Sequence, residues 1–597
     1  MSFMFNPYPY NDPNAVNHIA NDGSVELGRT GTGNAQVAAI LAKEMNPGTV
    51  IGIDGYATSP ISTVIGLLGK DAEFISVTSI YKTADELREI FAEYLPEDRE
   101  KDPVLLYGKL FKIGYAGLFD EKKLAALREI LKNKAGKCIV LYGNGAISEP
   151  MYDLIDVKIY TDVTPKKAVL NIKAGGYRNF GNDCDLPFKV TMRRCYYVDF
   201  EIGFTLRNRL MANNGIDFYI CGDDPTCLKI LPGDVLHQLV SRALDYPLRQ
   251  RPVYLEGVWG GYYTIKERHL PKEMKNCAWV FDLIPMEVST VIIMDGLEFE
   301  FPYYVIVAAE GKKLMGEQCL KDFHGFFPIR FNYDDTFHSS GNMSIQLHPG
   351  EEFVTTNHNE PGRQDESYYI VATAQRARTY LGFNRDADPE EFIREVKRSE
   401  KDYQPVDYQK YIYSVESKPG IQVMIPAGTI HGSGKNQLIL EIGSLTVGSY
   451  TYKMYDYLRK DLDGKPRPIH TYFGNINLNR GMMQDYVEKN LVNGGYRVIR
   501  EEGDAKEVVV GECDQLYFSL RNLIFGNYMT DNTNGDFHVL SLVDGEDVTV
   551  RSKKDPTRKF DMKFMDIIVV PADFGEYEII NNRPETWTTI HKTMLKR

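Results

Sequence analysis

No part of the 597-residue chain approaches the ~18–20 consecutive apolar residues that a membrane-crossing helix needs. The longest such run, around 301–309, has the length of a strand. Residues 1–13 are polar, aromatic and rich in Pro and Asn, with neither a basic leader nor an apolar segment behind it. No signal peptide is therefore expected, and the reading is a cytoplasmic protein without a membrane partner. The chain also lacks a C-x-x-C pair. Its cysteines, at 138, 184, 195, 221, 227, 277, 319 and 513, are scattered, and Cys221 with Cys227 fits no zinc template. Free thiols in a reducing compartment are expected. Positive charge is short as well: 69 Lys and Arg stand against 82 Asp and Glu, a net charge of −13. A phosphate backbone needs a basic surface, so the charge argues against broad nucleic-acid binding and no nucleic-acid partner is expected. A small anionic substrate, which needs only a few local cations, is compatible with that charge.

What is present is an ordinary globular composition, 43% hydrophobic and 25% charged, long enough for about three to five compact units. Its 38 tyrosines and 29 phenylalanines suit a strand-rich protein. The first third alternates helix and strand patterns. Asn34 is expected to cap a helix with Val37, Ile40, Leu41 and Met45 on its apolar face. A β-branched run follows over 49–53. Thr83 with Glu86 forms a capping box ahead of Leu87, Ile90, Phe91 and Leu95, and Asp120 precedes Leu124, Leu127 and Leu131. Strands at 138–142 and near 157–160 complete a pattern of strands joined by helices, which implies a parallel sheet with crossover helices. From about 250 the texture changes to short strand-like runs at 289–294, 303–308, 343–347, 368–372, 422–425 and 437–442, separated by Gly and Pro turns. One helix interrupts them, with Asp388 as cap, Pro389 in its first position and Phe392 and Val396 on one face. The segment 567–577, with Pro571-Ala572 at its turn, echoes 423–431, with Pro426-Ala427 at its turn. The chain thus divides into an α/β domain over 1–190, a connecting segment over 191–250, a β domain over 251–510 with a helical insertion near 388–402, and a second β domain over 511–597.

Gln346 and His348 stand two apart in a strand-like run, so both side chains project from one face while Ile345 and Leu347 face the other. Polar groups on one face of an apolar strand need a shared partner, and a metal is one. Glu366 opens another strand-like run, and His431 follows the Pro426-Ala-Gly-Thr-Ile turn. Gln, His, Glu and His make an oxygen/nitrogen donor set suited to a divalent metal with an open position: zinc first, then manganese, iron or cobalt. The alternative is a hydrogen-bonded core histidine at each place.

These residues, with Leu440-Glu-Ile442, Thr451-Tyr-Lys-Met-Tyr-Asp-Tyr-Leu-Arg459 and the earlier Trp259-Gly-Gly261, occur in the order seen in class I phosphomannose isomerases, metal-dependent cupins, which 245–597 resembles. The resemblance implies a double cupin (jelly-roll) fold; in the echoing segment Phe574, Gly575 and Glu576 stand where the first copy has Thr429, Ile430 and His431, so the second copy is expected to hold no metal. It implies zinc held by Gln346, His348, Glu366 and His431, and the interconversion of mannose 6-phosphate and fructose 6-phosphate through an enediolate, with a small phosphorylated sugar as the partner. Glu441 matches a carboxylate that lines that family's site. Lys453 stands where the family has an active-site Arg, and Gln364, beside Arg363, where it tends to have Lys. Lysine keeps the charge of arginine but not its planar fork. The basic cluster Arg459, Lys460, Lys465 and Arg467 is a candidate for meeting phosphate. These assignments make Lys453 and Glu441 the catalytic candidates and Arg363 and Arg459 the substrate-binding ones. A non-catalytic sugar-phosphate sensor on the same scaffold is the alternative reading.

The run from Ile51 to Thr63 resembles the phosphate-binding loop of uridine-kinase-like P-loop proteins. In G-x-x-x-x-G-K-[ST] the second Gly lets amides wrap phosphate and the Lys neutralises it. Counting from Gly55, those places hold Pro60 and Ile61, which leaves only Ser62. A degenerate P-loop-kinase-like module, structural or ligand-sensing, is expected. The Gly28-Arg-Thr-Gly-Thr-Gly33 run is either an anion-binding turn or a plain loop.

Overall fold

A computed structural model describes residues 6–596 apart from 70, 71, 135, 462, 463, 465 and 466. It is a mixed α/β structure with several sheets. The first sheet has seven strands in the order Gly31–Thr32, Lys229–Pro232, Phe218–Cys221, Val157–Asp162, Val50–Gly55, Cys138–Tyr142 and Ala72–Ser76. The last five of these pair in parallel, and Val50–Gly55 is buried along its whole length, as a strand covered by helices on both faces must be. The helices start where local chemistry directs. Thr83 and Glu86 close a complete capping box on Ala84–Ala92, and the Asp120 carboxylate accepts from the Lys123 amide at the head of Glu121–Asn133. At the first helix the cap is Gly33 (φ 89°). Asn34 is the first helical residue, and its side-chain amide bonds to Pro225 O and to the Leu228 amide. The segment 191–250 does more than connect: it supplies two strands to this sheet, and Leu248–Arg249 edges a sheet at the far end of the chain.

Two antiparallel sheets follow that share one hydrophobic core. The six-stranded one runs Val253–Leu255, Trp279–Leu283, Ile329–Asp335, Gln437–Ser444, Glu366–Thr373 and Gln422–Ile425. The five-stranded one runs Ile412–Glu416, Arg378–Phe383, His431–Ser433, Ile345–Leu347 and Tyr452–Tyr455. The helical insertion Pro389–Asp402 is capped by Asp388 and buries Phe392 and Val396. The strand expected at 303–308 is instead the start of a helix, Tyr303–Met315, and the strand before it is Leu297–Pro302. An apolar run of that length, buried all round, reads the same for either element.

The C-terminal region builds a seven-stranded sheet from Arg497–Glu502, Ala505–Gly511, Phe518–Phe525, Thr588–Leu595, His538–Asp544, Ile567–Val570 and Leu248–Arg249, and a four-stranded sheet from Tyr528–Asn532, Glu576–Asn581, Asp547–Ser552 and Lys559–Lys563. Val548, Ile568, Tyr577 and Ile590 are part of its core. The first of these strands begins at 497, before the expected boundary at 511. Among the described residues, no helix is long and apolar enough to cross a membrane.

Candidate metal centre

The register of the five-stranded sheet assembles half of the site. Gln346 lies in the strand next to the edge, with His431 as its cross-strand partner on one side and Lys453 on the other. Side chains directly opposite one another share a face, so all three project together. His348, two residues on, follows them. Glu366 comes from the other sheet, at the first position of its strand. His348 Nε2 is 3.0 Å and His431 Nε2 3.5 Å from Glu366 Oε2. Among the described residues, these three form the one group of His, Cys, Asp or Glu with three ligand atoms all within 4.8 Å of one another.

Outer partners fix which atoms face inward. His348 Nδ1 donates to Tyr450 O at 2.9 Å and His431 Nδ1 to Thr429 O at 2.8 Å. A carbonyl only accepts, so each Nδ1 carries the proton and each Nε2 is left a lone pair. Glu366 Oε1 accepts from Arg330 and from the Gln364 amide, each at 3.1 Å, which leaves Oε2 for the site. Both Nε2 atoms and Oε2 are buried without a hydrogen-bond partner. Two lone pairs aimed at one carboxylate oxygen repel unless a cation lies between them. The donor set therefore fits a divalent metal, and the Nδ1 and Oε1 contacts are the outer supports such a site requires. Burial pushes His348 below the usual imidazole range. Burial works to raise the Glu366 carboxyl, and it is held well below its ordinary value where the His348 and His431 side of the site carries positive charge, the role a cation takes when both Nε2 atoms are lone pairs. Gln346 Oε1 accepts from Ser344 Oγ at 2.7 Å.

The centre opens into a cavity lined by, among others, Gln346, His348, Glu366, Glu441, Lys453 and Arg467. Lys453 Nζ is buried with no hydrogen-bond partner among the described residues. Burial and the neighbouring Arg467 push this amine down to about 8. Glu441, cross-strand to Asn332 and Tyr368, is held well above the usual carboxylate range by burial and by Glu366 and Asp334.

The mannose-6-phosphate isomerase ManA of Bacillus subtilis is 24% identical over 348 residues, 56% of this chain and 95% of that one. The mannose-6-phosphate isomerase of Streptococcus mutans is 25% identical over 226 residues, 37% of this chain and 65% of that one. The crystal structure of mannose 6-phosphate isomerase from Bacillus subtilis overlays with a TM-score of 0.46 at 17% identity, covering 58% of this chain and 99% of that one. Residues 33–245 match a domain of unknown function, DUF8485.

Not every candidate residue reaches the cavity. The Arg363 guanidinium bonds to Asp365 at 2.6 Å, to Glu351 at 3.4 Å and to the Gln515 carbonyl, away from the cavity lining. Arg459 is bound to Asp456 and to Asn342 O, also away from it. Arg467 does line the cavity, pairing with Asp456 at 2.6 Å, whereas Lys465 lies outside the described residues. Sequence reasoning missed Arg330, Asn332 and Glu287, all lining residues. The first two carried a readable signal: Ile329–Asp335 alternates apolar and polar side chains, which puts Arg330, Asn332 and Asp334 on one face.

In the first module, the loop after the strand Val50–Gly55 is packed on its own sheet. A Cβ at Gly55 would meet Ser59 Oγ at 2.1 Å and the Thr161 carbonyl at 2.4 Å. Tyr56 lies stacked on Phe200 with ring centroids 5.5 Å apart.

Proposed function

We propose that this chain is a metal-dependent aldose–ketose isomerase that interconverts mannose 6-phosphate and fructose 6-phosphate through an enediolate of the sugar. The observation that carries the reading is the convergence of three buried, unpartnered ligand atoms on one point, in a cavity that also holds a buried amine and a buried carboxyl. His348, Glu366 and His431, with Gln346 as the oxygen donor beside them, hold the metal, zinc by preference. Bound there, it supplies Lewis-acid polarisation of a sugar oxygen.

The chain's own residues supply the rest. Arg330 and Gln364 keep Glu366 turned so that one oxygen faces the site. Lys453 and Arg467 offer positive charge to an anionic substrate. Lys453 donates to the oxygen on which negative charge develops, and Glu441 carries the proton between C1 and C2. The experiment is a coupled assay of zinc-loaded protein with mannose 6-phosphate, run beside His348→Ala. Turnover that disappears in the variant is the expected result. Metal-replete protein that binds the sugar phosphate without converting it would overturn the isomerase in favour of a sensor.

A further inference from the structure

The metal cavity is not walled by the two middle sheets alone. Leu106, Tyr107 and Tyr196, all within the DUF8485 stretch, line it together with His348 and Lys453. Their placement is built rather than incidental. Tyr107 donates its hydroxyl to Thr451 O at 2.7 Å, next to the Tyr450 carbonyl that fixes His348. Its ring packs 5.0 Å from His470 and 6.0 Å from Tyr450. One residue on, the Gly108 carbonyl accepts from His358 Nδ1 at 2.7 Å, and the Leu110 amide donates to His358 O at 2.9 Å. Gly108 is itself wedged tight: a Cβ there would meet the Tyr197 ring at 2.6 Å and the Tyr94 carbonyl at 2.7 Å. The segment carrying Leu106 is thus clamped on both sides.

Tyr196 reaches the same cavity from a π-helical turn, Cys195–Asp199, set between the helices Phe188–Arg194 and Phe200–Ala212. Such turns widen a helix by one residue and re-aim a side chain, and they recur at functional sites. Here the re-aimed side chain is a cavity wall.

We propose that the N-terminal module closes the metal cavity, with Leu106 and Tyr196 limiting the length of phosphorylated sugar it admits and Tyr107 anchoring the wall to the strand that carries Lys453. The choice of a phosphorylated sugar rests on the isomerase reading above; the wall itself does not.

Two measurements separate the two claims. The chain has three tryptophans. Trp259 and Trp279 line this cavity, whereas Trp587 is 58% exposed in the C-terminal region. In a Trp587→Phe background, acrylamide quenching therefore reports entry of a small neutral probe into the cavity. Leu106→Ala and Tyr196→Leu are expected to raise the Stern–Volmer constant and Leu106→Phe to lower it, with circular dichroism confirming the fold of each. Quenching that is identical in all the folded variants would overturn the wall, whatever the protein's activity. On the substrate side, Leu106→Ala is expected to raise kcat/KM for a seven-carbon relative to a six-carbon sugar phosphate by about tenfold, the scale at which a few methylenes of pocket discriminate. A ratio unchanged in an active variant overturns the size limit. Wild-type protein that converts no sugar phosphate defeats the isomerase reading, and the quenching series then decides the wall alone.

Discussion

Glu366 has two oxygens in two different environments, and the site depends on keeping them so. Oε1 is tied by the Arg330 guanidinium and the Gln364 amide, and Oε2 faces the two histidines. Gln364 also accepts from the Tyr450 amide at 2.9 Å, so it links the carboxylate to the backbone that orients His348. Gln364→Leu keeps the volume and removes the donor. Zinc affinity, measured by competition with a chelator, is expected to fall by about 10–100-fold, the usual cost of losing an outer support, while the fold persists. His348→Ala or His431→Ala is expected to lose both metal and turnover; either variant with stoichiometric zinc and full turnover would refute the ligand set. Lys453→Met is expected to depress turnover far more than metal content, because its Nζ touches none of the three ligand atoms in a hydrogen bond. Equal loss of both would assign the lysine a structural role. The pairing of Gln346 with His348 was legible from a two-residue spacing. That of Glu366 with Arg330 was not, since it joins strands that meet only through the fold.

Helix starts were the most legible elements, because a cap is decided within four residues. The Thr83 hydroxyl accepts from the Glu86 amide, and Glu86 returns a bond to the Thr83 amide at 2.8 Å. Thr83→Ala is expected to cost about 1 kcal/mol of stability, read from the denaturant midpoint, with zinc content unaltered. A loss of metal in that variant would mean that the first module supports the centre through this helix. Where an element is decided by what surrounds it, the sequence is ambiguous. Tyr303–Met315 buries Tyr303, Tyr304, Val305, Ile306 and Val307 in succession, so no polar face announces its period. Long-range strand partners are illegible for the same reason. Leu248–Arg249 joins a sheet whose next strand is Ile567–Val570, and nothing near residue 248 specifies that partner.

Across the whole molecule, groups of opposite sign sit buried together, so the pH dependence of stability is a balance. Burial raises Asp54 and Glu360 to about 7, and these carboxyls hold protons that the unfolded chain releases, which favours the fold at low pH and weakens it as pH rises toward 7. Burial lowers His358 and His538 to about 4 and His591 to about 3, and for these the sign reverses. Their stabilising contribution is present above the ordinary imidazole value and is lost as pH falls toward the folded one. A single-site difference isolates His538 with the groups that touch it, because distant carboxyls such as Asp54 and Glu360 cancel between variant and wild type. His538 suits this: it lies in the C-terminal core, away from the metal centre, and its Nδ1 meets the Tyr577 hydroxyl at 2.8 Å. Lys592, beside it, adds to the lowering, and Asp531 opposes it. His538→Gln replaces the ring with an amide that cannot take up a proton. Between about pH 6.5 and about pH 4, wild type is expected to lose about 1.4 kcal/mol per pH unit that the variant does not. The cost of the substitution, compared by urea unfolding, should therefore shrink steadily as the solution is acidified. A cost that stays constant over that range would show that the ring titrates in the fold as it does in the unfolded chain, and that its burial is relieved by a proton held with Asp531.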